Sequence, residues 1–230
     1  MTSFFKKKTL SALSSLGIMS KTTRKNFERY LEKYRSNGRV LDVGSGTGAY
    51  FAFFPNRTTV DIAPHEGVDV VADAHELSKH FTEGEFDVVL CIEALEHFYH
   101  PHKAVEEMSR VLKRGGTLIL STRFMFPLHE VPHDYFRFTE YGLKHLLRDF
   151  DILEFHRDGN TIETLAILYE RIGYQCDTLW FKPLKLFWFL EARFLFLFTR
   201  VLTAEYGDIN QQNRVPNIMT SGYFVVAQKK

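Results

Sequence analysis

The sequence predicts an α/β fold: a doubly wound seven-stranded sheet, mostly parallel with an antiparallel terminal strand, and helices on both faces. Three observations carry this. Short apolar runs alternate with stretches of helical periodicity, the order from which crossovers build a parallel sheet. One run, Phe86 to Ile92, is apolar almost throughout, as a strand covered on both faces must be. A third run, Arg39 to Val43, leads directly into Gly44-Ser45-Gly46-Thr47-Gly48, a strand ending in a turn nearly bare of side chains.

The elements follow in order. Residues 22 to 36 are polar, with Phe27, Tyr30, Leu31 and Tyr34 on one helical face, and Asn37-Gly38 ends the helix. Arg39 to Val43 is the first strand, and a brief helix from Ala49 to Phe54 stops at Pro55. Thr58 to Ile62 and Val68 to Ala72 are the second and third strands, joined by Ala63-Pro64-His65-Glu66-Gly67 with no room for a helix. After the fourth strand, His102 to Leu112 is amphipathic, and Lys113-Arg114-Gly115-Gly116 caps it. Thr117 to Ser121 is the fifth strand. Thr139 opens a helix with Leu143, Leu146 and Leu147 inward, Phe150 to His156 is the sixth strand, and Gly222 to Gln228 is the terminal one. We divide the chain into an N-terminal helical segment, 1–37, and a main domain, 38–230, carrying a Phe-rich helical insertion or lid at about 160–218.

Composition bounds the function. The 230 residues suit one embellished α/β domain, and a net charge of +1 supplies no field for nucleic acid. No Asn-Pro-Pro-Tyr-type base-gripping motif occurs. Cys91 and Cys176 form no disulfide framework, which fits the cytoplasm. Met1 to Met19 reads as an amphipathic leader helix, not a signal peptide. Of 22 phenylalanines, many fall between Phe181 and Phe198. Lys185, Glu191, Arg193 and Arg200 interrupt this stretch, so it lacks the roughly 20 apolar residues a spanning helix needs. It reads as a cover over the acceptor side, a peripheral contact with the inner membrane surface through 181–200, or a homodimer interface.

The glycine turn and its acids carry the chemistry. Glycines there let backbone approach a ligand in the crevice at the strands' carboxyl ends. Asp61 ends the second strand about 20 positions after Asp42, the spacing of a carboxylate that grips a ribose diol. Asp73-Ala74 ends the third, where a short acid can accept from an adenine amino group. Val40-Leu41-Asp42-Val43-Gly44-Ser45-Gly46-Thr47-Gly48 resembles motif I of class I S-adenosylmethionine-dependent methyltransferases, which share this Rossmann-like fold. Phe86 to His97 resembles their motif around the fourth strand. Arg110-Val111-Leu112-Lys113-Arg114-Gly115-Gly116 resembles the family signature before the fifth, with Arg114 where proline is usual.

The resemblance implies S-adenosyl-L-methionine as cofactor. Asp42, Gly44, Ser45, Gly46 and Gly48 would border its methionine part, Asp61 with Ile62 the ribose, Asp73 with Ala74 the adenine, and Cys91 and Ile92 would flank it. The missing helix between the second and third strands departs from the usual pattern on the adenine side.

Beyond the fifth strand, Pro132-His133-Asp134-Tyr135-Phe136-Arg137-Phe138-Thr139 resembles a signature of methyltransferases associated with surface-glycan biosynthesis. Loops at strand ends carry function, and histidine titrates near neutrality. His133 is the first candidate for a catalytic base, His97 the second, and Asp134 an orienting group; the competing reading is that they brace the loop. The histidines show no HExxH or regular spacing, so no metal is expected. The function expected is methyl transfer to a small-molecule or lipid-linked acceptor, such as a glycan intermediate, with a binding protein lacking activity as the alternative. A nicotinamide oxidoreductase would require GxGxxG, whereas the spacing here is GxGxG.

Overall fold

A computed structural model describes residues 23–46, 51–176, 184–208, 210 and 213–230. Its main sheet comprises β1 (Val40–Val43), β2 (Arg57–Asp61), β3 (Val70–Val71), β4 (Phe86–Ile92), β5 (Leu112–Arg123), β6 (Phe150–Arg157) and a last strand, β9 (Gly222–Lys229). They lie in the order β3-β2-β1-β4-β5-β9-β6. Neighbours from β3 to β5 pair parallel, and β9 pairs antiparallel with both β5 and β6. This is the expected doubly wound, mostly parallel sheet. The strand order reverses between β1 and β4, the switch point at which such sheets leave a crevice for a ligand.

β4 shows why its sequence is apolar except at Asp87, whose carboxylate pairs with Lys113 and the Arg39 amide. Phe86, Val89 and Cys91 pack into one core, together with α2 (Pro101–Val111) and α3 (Glu140–Leu146). Val88, Leu90 and Ile92 pack into a second core on the opposite face, with Phe27 and Leu31 of α1 (Thr23–Lys33) and Phe224. Alternate residues of one strand thus feed two cores, so no position can be polar without a partner. Thr139 caps α3 by accepting from Gly142 N, and Leu143, Leu146 and Leu147 are buried as expected.

Two boundaries differ from the sequence expectation, each for a local reason. The third strand, expected over Val68 to Ala72, is only Val70–Val71. Val68 N donates to His65 O in a turn, and the Asp69 carboxylate takes the Thr59 amide at 2.9 Å. A side chain thus occupies the donor a longer ladder would need. Gly115 and Gly116 do not cap α2: Leu112 is already extended and pairs with Phe86, and the glycines lie in an irregular start of β5. A Cβ on Gly116 would come within 2.8 Å of Lys113 O. Of the brief helix expected over 49–54, Phe51–Phe53 forms one turn of 3-10 helix, and residues 49–50 lie outside the described residues. The leader helix expected over 1–19 also lies outside them.

The chain divides into two compact units. Among the described residues, the sheet unit takes 26–46, 51–124, 128–158 and 222–230, and the other takes 23–25, 125–127, 159–176, 184–208, 210 and 213–221. In the second unit, α4 (Thr161–Gln175) starts with a reciprocal capping box between Asn160 and Glu163. It packs on α5 (Leu184–Phe196) through Gly173, where a Cβ would lie 2.7 Å from the Phe189 ring. Phe189 and Ala192 are buried, whereas Leu186, Phe187, Leu190 and Phe194 of α5 are exposed. The short β7 (Tyr206–Asp208) and β8 (Asn213–Arg214) form a separate hairpin pair. No described helix is long and apolar enough to cross a membrane.

Candidate active site

The first half of the site lies at the carboxyl ends of β1 to β3. Gly44 has φ +69°, and a Cβ there would sit 2.5 Å from Ala94 Cβ, so conformation and packing both demand glycine. Gly44 N and Ser45 N donate to Val60 O, at 2.9 and 3.2 Å. Gly46 has φ +50°, but a Cβ there would meet nothing within 4 Å. Its amide donates to Asp61 Oδ2 at 3.3 Å, and Asp61 Oδ1 accepts from Ala63 N at 3.2 Å. His65 lies 3.4 Å from the same carboxylate. Ser45 Oγ is buried with no hydrogen-bond partner. Gly48 lies outside the described residues.

The remaining residues of this half vary in what they offer. Ile62 is 72% exposed, an apolar side chain standing open beside Asp61. Asp73 accepts from His75 N at 2.9 Å and meets His75 Nδ1 at 2.5 Å. Burial works against the Asp73 carboxylate, but these hydrogen bonds outweigh it and hold its pKa below the usual value. Ala74, Cys91 and Ile92 are buried. Complete burial pushes the Cys91 thiol well above its usual range, so it is an inert core group. Asp42 points into the sheet and pairs with Arg57 at 2.9 Å, both side chains almost fully buried. Burial raises its carboxyl to about 6, against the pull of Arg57.

The second half joins the ends of β4 and β5 to the loop before α3. Glu93 follows β4 with φ +55°, a left-handed conformation that costs a non-glycine residue about 1–2 kcal/mol. Surrounding bonds hold it there: Ser121 Oγ donates to its carboxylate at 3.0 Å, Arg123 pairs with it, and its amide donates to Ser121 O. Burial raises the Glu93 pKa while Arg123 opposes this.

Glu96 is wholly buried and accepts from Thr122 Oγ1 at 2.7 Å. Its backbone carbonyl accepts from the amides of Tyr135 and Phe136, at 3.0 and 3.1 Å, which ties down the distant loop. His97 Nδ1 bonds to His133 O at 2.7 Å. The ring of His129 meets that of His97 edge-on, with centroids 4.7 Å apart.

Asp134 supports this loop, not the His133 ring. Its carboxylate receives two bonds from Arg137, both 2.6 Å, and one from His129 N at 2.9 Å. Burial opposes ionisation, yet Arg137 and His129 bring its pKa down to about 2. The His133 side chain is exposed, and its Nδ1 lies 3.1 Å from the Tyr135 hydroxyl. The structure thus brings His97, His133 and Asp134 to one rim with Glu93, Glu96, Arg123 and His129. Spacing could not single out Glu93, Glu96 or Arg123, because their roles arise where β4 and β5 end side by side. The only local trace was two acids and a histidine after an otherwise apolar strand.

A family model described as a methyltransferase domain matches residues 16–177, well over half of the chain. An uncharacterized methyltransferase of Bacillus subtilis, YcgJ, is 31% identical over 136 residues, covering 52% of this chain and 48% of that protein. A ubiquinone biosynthesis O-methyltransferase of Xanthomonas campestris is 35% identical over 103 residues, covering 36% of this chain and 42% of that protein. The chain spans about half the length of the curated relatives it matches.

Among solved structures, the 1,6-didemethyltoxoflavin-N1-methyltransferase of Burkholderia thailandensis, with S-adenosylhomocysteine bound, superposes with a TM-score of 0.54. The match covers 98% of this chain and 87% of that one at 16% identity, a likeness of fold. The chain therefore belongs to the methyltransferase-domain family, with the fold of the class I S-adenosylmethionine-dependent enzymes.

Proposed function

We propose that this protein transfers a methyl group from S-adenosylmethionine to a small-molecule or lipid-linked acceptor by direct in-line displacement. The observation that carries this reading is the turn at the switch point. Among the described residues, a Cβ on Gly46 would meet nothing within 4 Å, Asp61 accepts from the Gly46 amide, and Ser45 Oγ is buried without a hydrogen-bond partner. A bare backbone turn, a buried hydroxyl and a carboxylate together fit the cofactor's amino-acid and ribose parts. In this reading Asp61 takes the ribose diol and Asp73 the adenine amino group. Ile62 stands with Asp61 at the ribose, while Gly44, Ala74, Cys91 and Ile92 shape the walls; Gly48 lies outside the described residues. Asp42 contributes from within the sheet by fixing the end of β1.

The cofactor, when bound, supplies the activated methyl group. The protein's task is to orient the acceptor, exclude water and accept one proton. We assign proton removal to His133, whose ring is accessible, with His97 beside it and Asp134 holding the loop that carries both contacts. Two of the similar proteins support a small acceptor: one is named a ubiquinone biosynthesis O-methyltransferase, and the other is a 1,6-didemethyltoxoflavin-N1-methyltransferase with 1,6-didemethyltoxoflavin bound. The exposed apolar residues of α5 suit a lipid-linked acceptor, such as a glycan intermediate, or contact with a membrane surface or a second copy.

The test is transfer of labelled methyl from the cofactor into a panel of such acceptors and into cell extract. Labelled product from the wild type, with at least a tenfold loss of turnover in His133→Ala, supports the assignment. Normal turnover in His133→Ala returns that residue to bracing the loop, and absence of any labelled product speaks against the proposed activity.

A further inference from the structure

The rim described above brings a carboxyl group and two imidazoles close together. One ligand atom each from Glu96, His97 and His129 lies within 4.8 Å of the other two. Glu96 has no exposed surface, and its Oε1 has no hydrogen-bond partner, 3.8 Å from His129 Nε2. A buried carboxyl oxygen without a hydrogen-bond partner is costly, and a metal ion there would supply one.

The two imidazoles are already oriented. His97 Nδ1 is engaged by His133 O at 2.7 Å, which makes that nitrogen the donor and leaves Nε2 as a lone pair. His129 Nδ1 lies 3.3 Å from Asp134 Oδ2, with Arg137 Nη2 at 3.5 Å, and its Nε2 faces Glu96. His97 is held as metal-binding histidines are, with its outer ring nitrogen on a carbonyl. At His129, Nδ1 has to give its proton to Asp134 Oδ2 instead of accepting from Arg137 for Nε2 to present a lone pair to the ion. Glu130 Oε2 stands 3.9 Å from His97 Nε2 on a mostly exposed side chain, within reach as a further oxygen donor.

We propose that Glu96 Oε1, His97 Nε2 and His129 Nε2 bind one divalent transition-metal ion of the zinc class. Two imidazoles and one carboxylate are the ligand set of open zinc and related sites, with bonds of about 2.0–2.2 Å. The present separations exceed what such bonds require, so the loop carrying His129 closes slightly on the ion. The set leaves a coordination position open, and an acceptor oxygen at the rim is the group placed to enter it. Sequence spacing pointed away from a metal because His129 is remote in the chain from Glu96 and His97. The proposal does not depend on methyl transfer, and its test contains neither cofactor nor acceptor.

The full chain, stripped with a chelator and dialysed, is titrated with Zn²⁺ by calorimetry and with Co²⁺ by visible absorption. We expect one saturable equivalent and d–d bands of a low-coordinate Co²⁺ site. Asp134→Asn should weaken binding by about 10-fold, as outer partners of metal ligands do, and His97→Ala or His129→Ala by more than that. His102→Ala, exposed on α2, serves as the control and should bind as the wild type does. Circular dichroism verifies that each variant is folded. His129→Ala carries the test if Glu96→Gln disrupts the core. Absence of saturable binding, or an unchanged equivalent in both His97→Ala and His129→Ala, overturns the proposal.

Discussion

At the ends of β1 and β2 the chain closes on itself over short distances: Gly46 N meets Asp61, Asp61 meets Ala63 N, and His65 lies beside them. At the ends of β4 and β5 the partners come from far apart: Glu96 holds Tyr135 and Phe136, His97 holds His133, and Arg123 reaches Glu93 and Asp158. The first region is a sparse cradle with backbone toward open space, whereas the second is a lattice of charged side chains. The contrast suits one region to a fixed ligand shared across a family, and the other to an acceptor that varies between its members.

Substitutions can sharpen this contrast. The largest loss is expected from Arg57→Met, which leaves the Asp42 carboxylate buried without its partner. Breaking one side of a buried pair costs about 3–5 kcal/mol, read as a lower denaturant midpoint. Next come the two glycines. Gly44→Ala forces a left-handed alanine against Ala94 and should cost about 2–4 kcal/mol, from backbone strain and overpacking together. Gly46→Ala meets only the backbone term, about 1–2 kcal/mol, because the space above it is open. It should nevertheless weaken S-adenosylhomocysteine binding at least tenfold. Equal loss of stability in both variants, with cofactor affinity intact, would contradict the cradle.

The pH dependence of Asp42 comes third. Its folded pKa, about 6, lies above the ordinary 3.8, so its protonated form favours the folded state. That contribution is full below about pH 4 and is lost as pH rises through 6, roughly 2–3 kcal/mol in all. Stability curves of wild type and Asp42→Asn should therefore diverge across this window in the variant's favour as pH rises. An effect in the range of Gly46→Ala is expected from Arg137→Ala, about 1–3 kcal/mol for a charged hydrogen-bond donor. Faster hydrogen exchange at the Tyr135 and Phe136 amides, with unchanged cofactor affinity, would separate the loop from the cradle. Lost cofactor affinity would join them.

What the sequence made legible follows the same division. β4 was readable because both its faces are buried, and the turn after β1 because glycines at Gly44 and Gly46 answer a local backbone demand. Asp61 was readable by its spacing from Asp42, and Asp73 by a place at the end of the third strand, which in the structure stops two residues earlier at Val71. The early end of β3 was not, since it depends on Asp69 folding back onto Thr59. Nor was the Asp42–Arg57 pair, which is set by strand register. Glu93, Glu96 and Arg123 acquire their roles only once β4 and β5 are adjacent and the loop to α3 has folded over them. Periodicity records what a segment buries, while a site assembled from three segments leaves no period.

The central claim is that the turn from Asp42 to Gly48 and the acid Asp61 hold S-adenosylmethionine. Calorimetric titration of the full chain with S-adenosylhomocysteine tests it most directly. One site per chain, with at least tenfold weaker binding in a folded Asp61→Ala variant, is the result predicted. No binding by the wild type, or equal binding by the two, would contradict it.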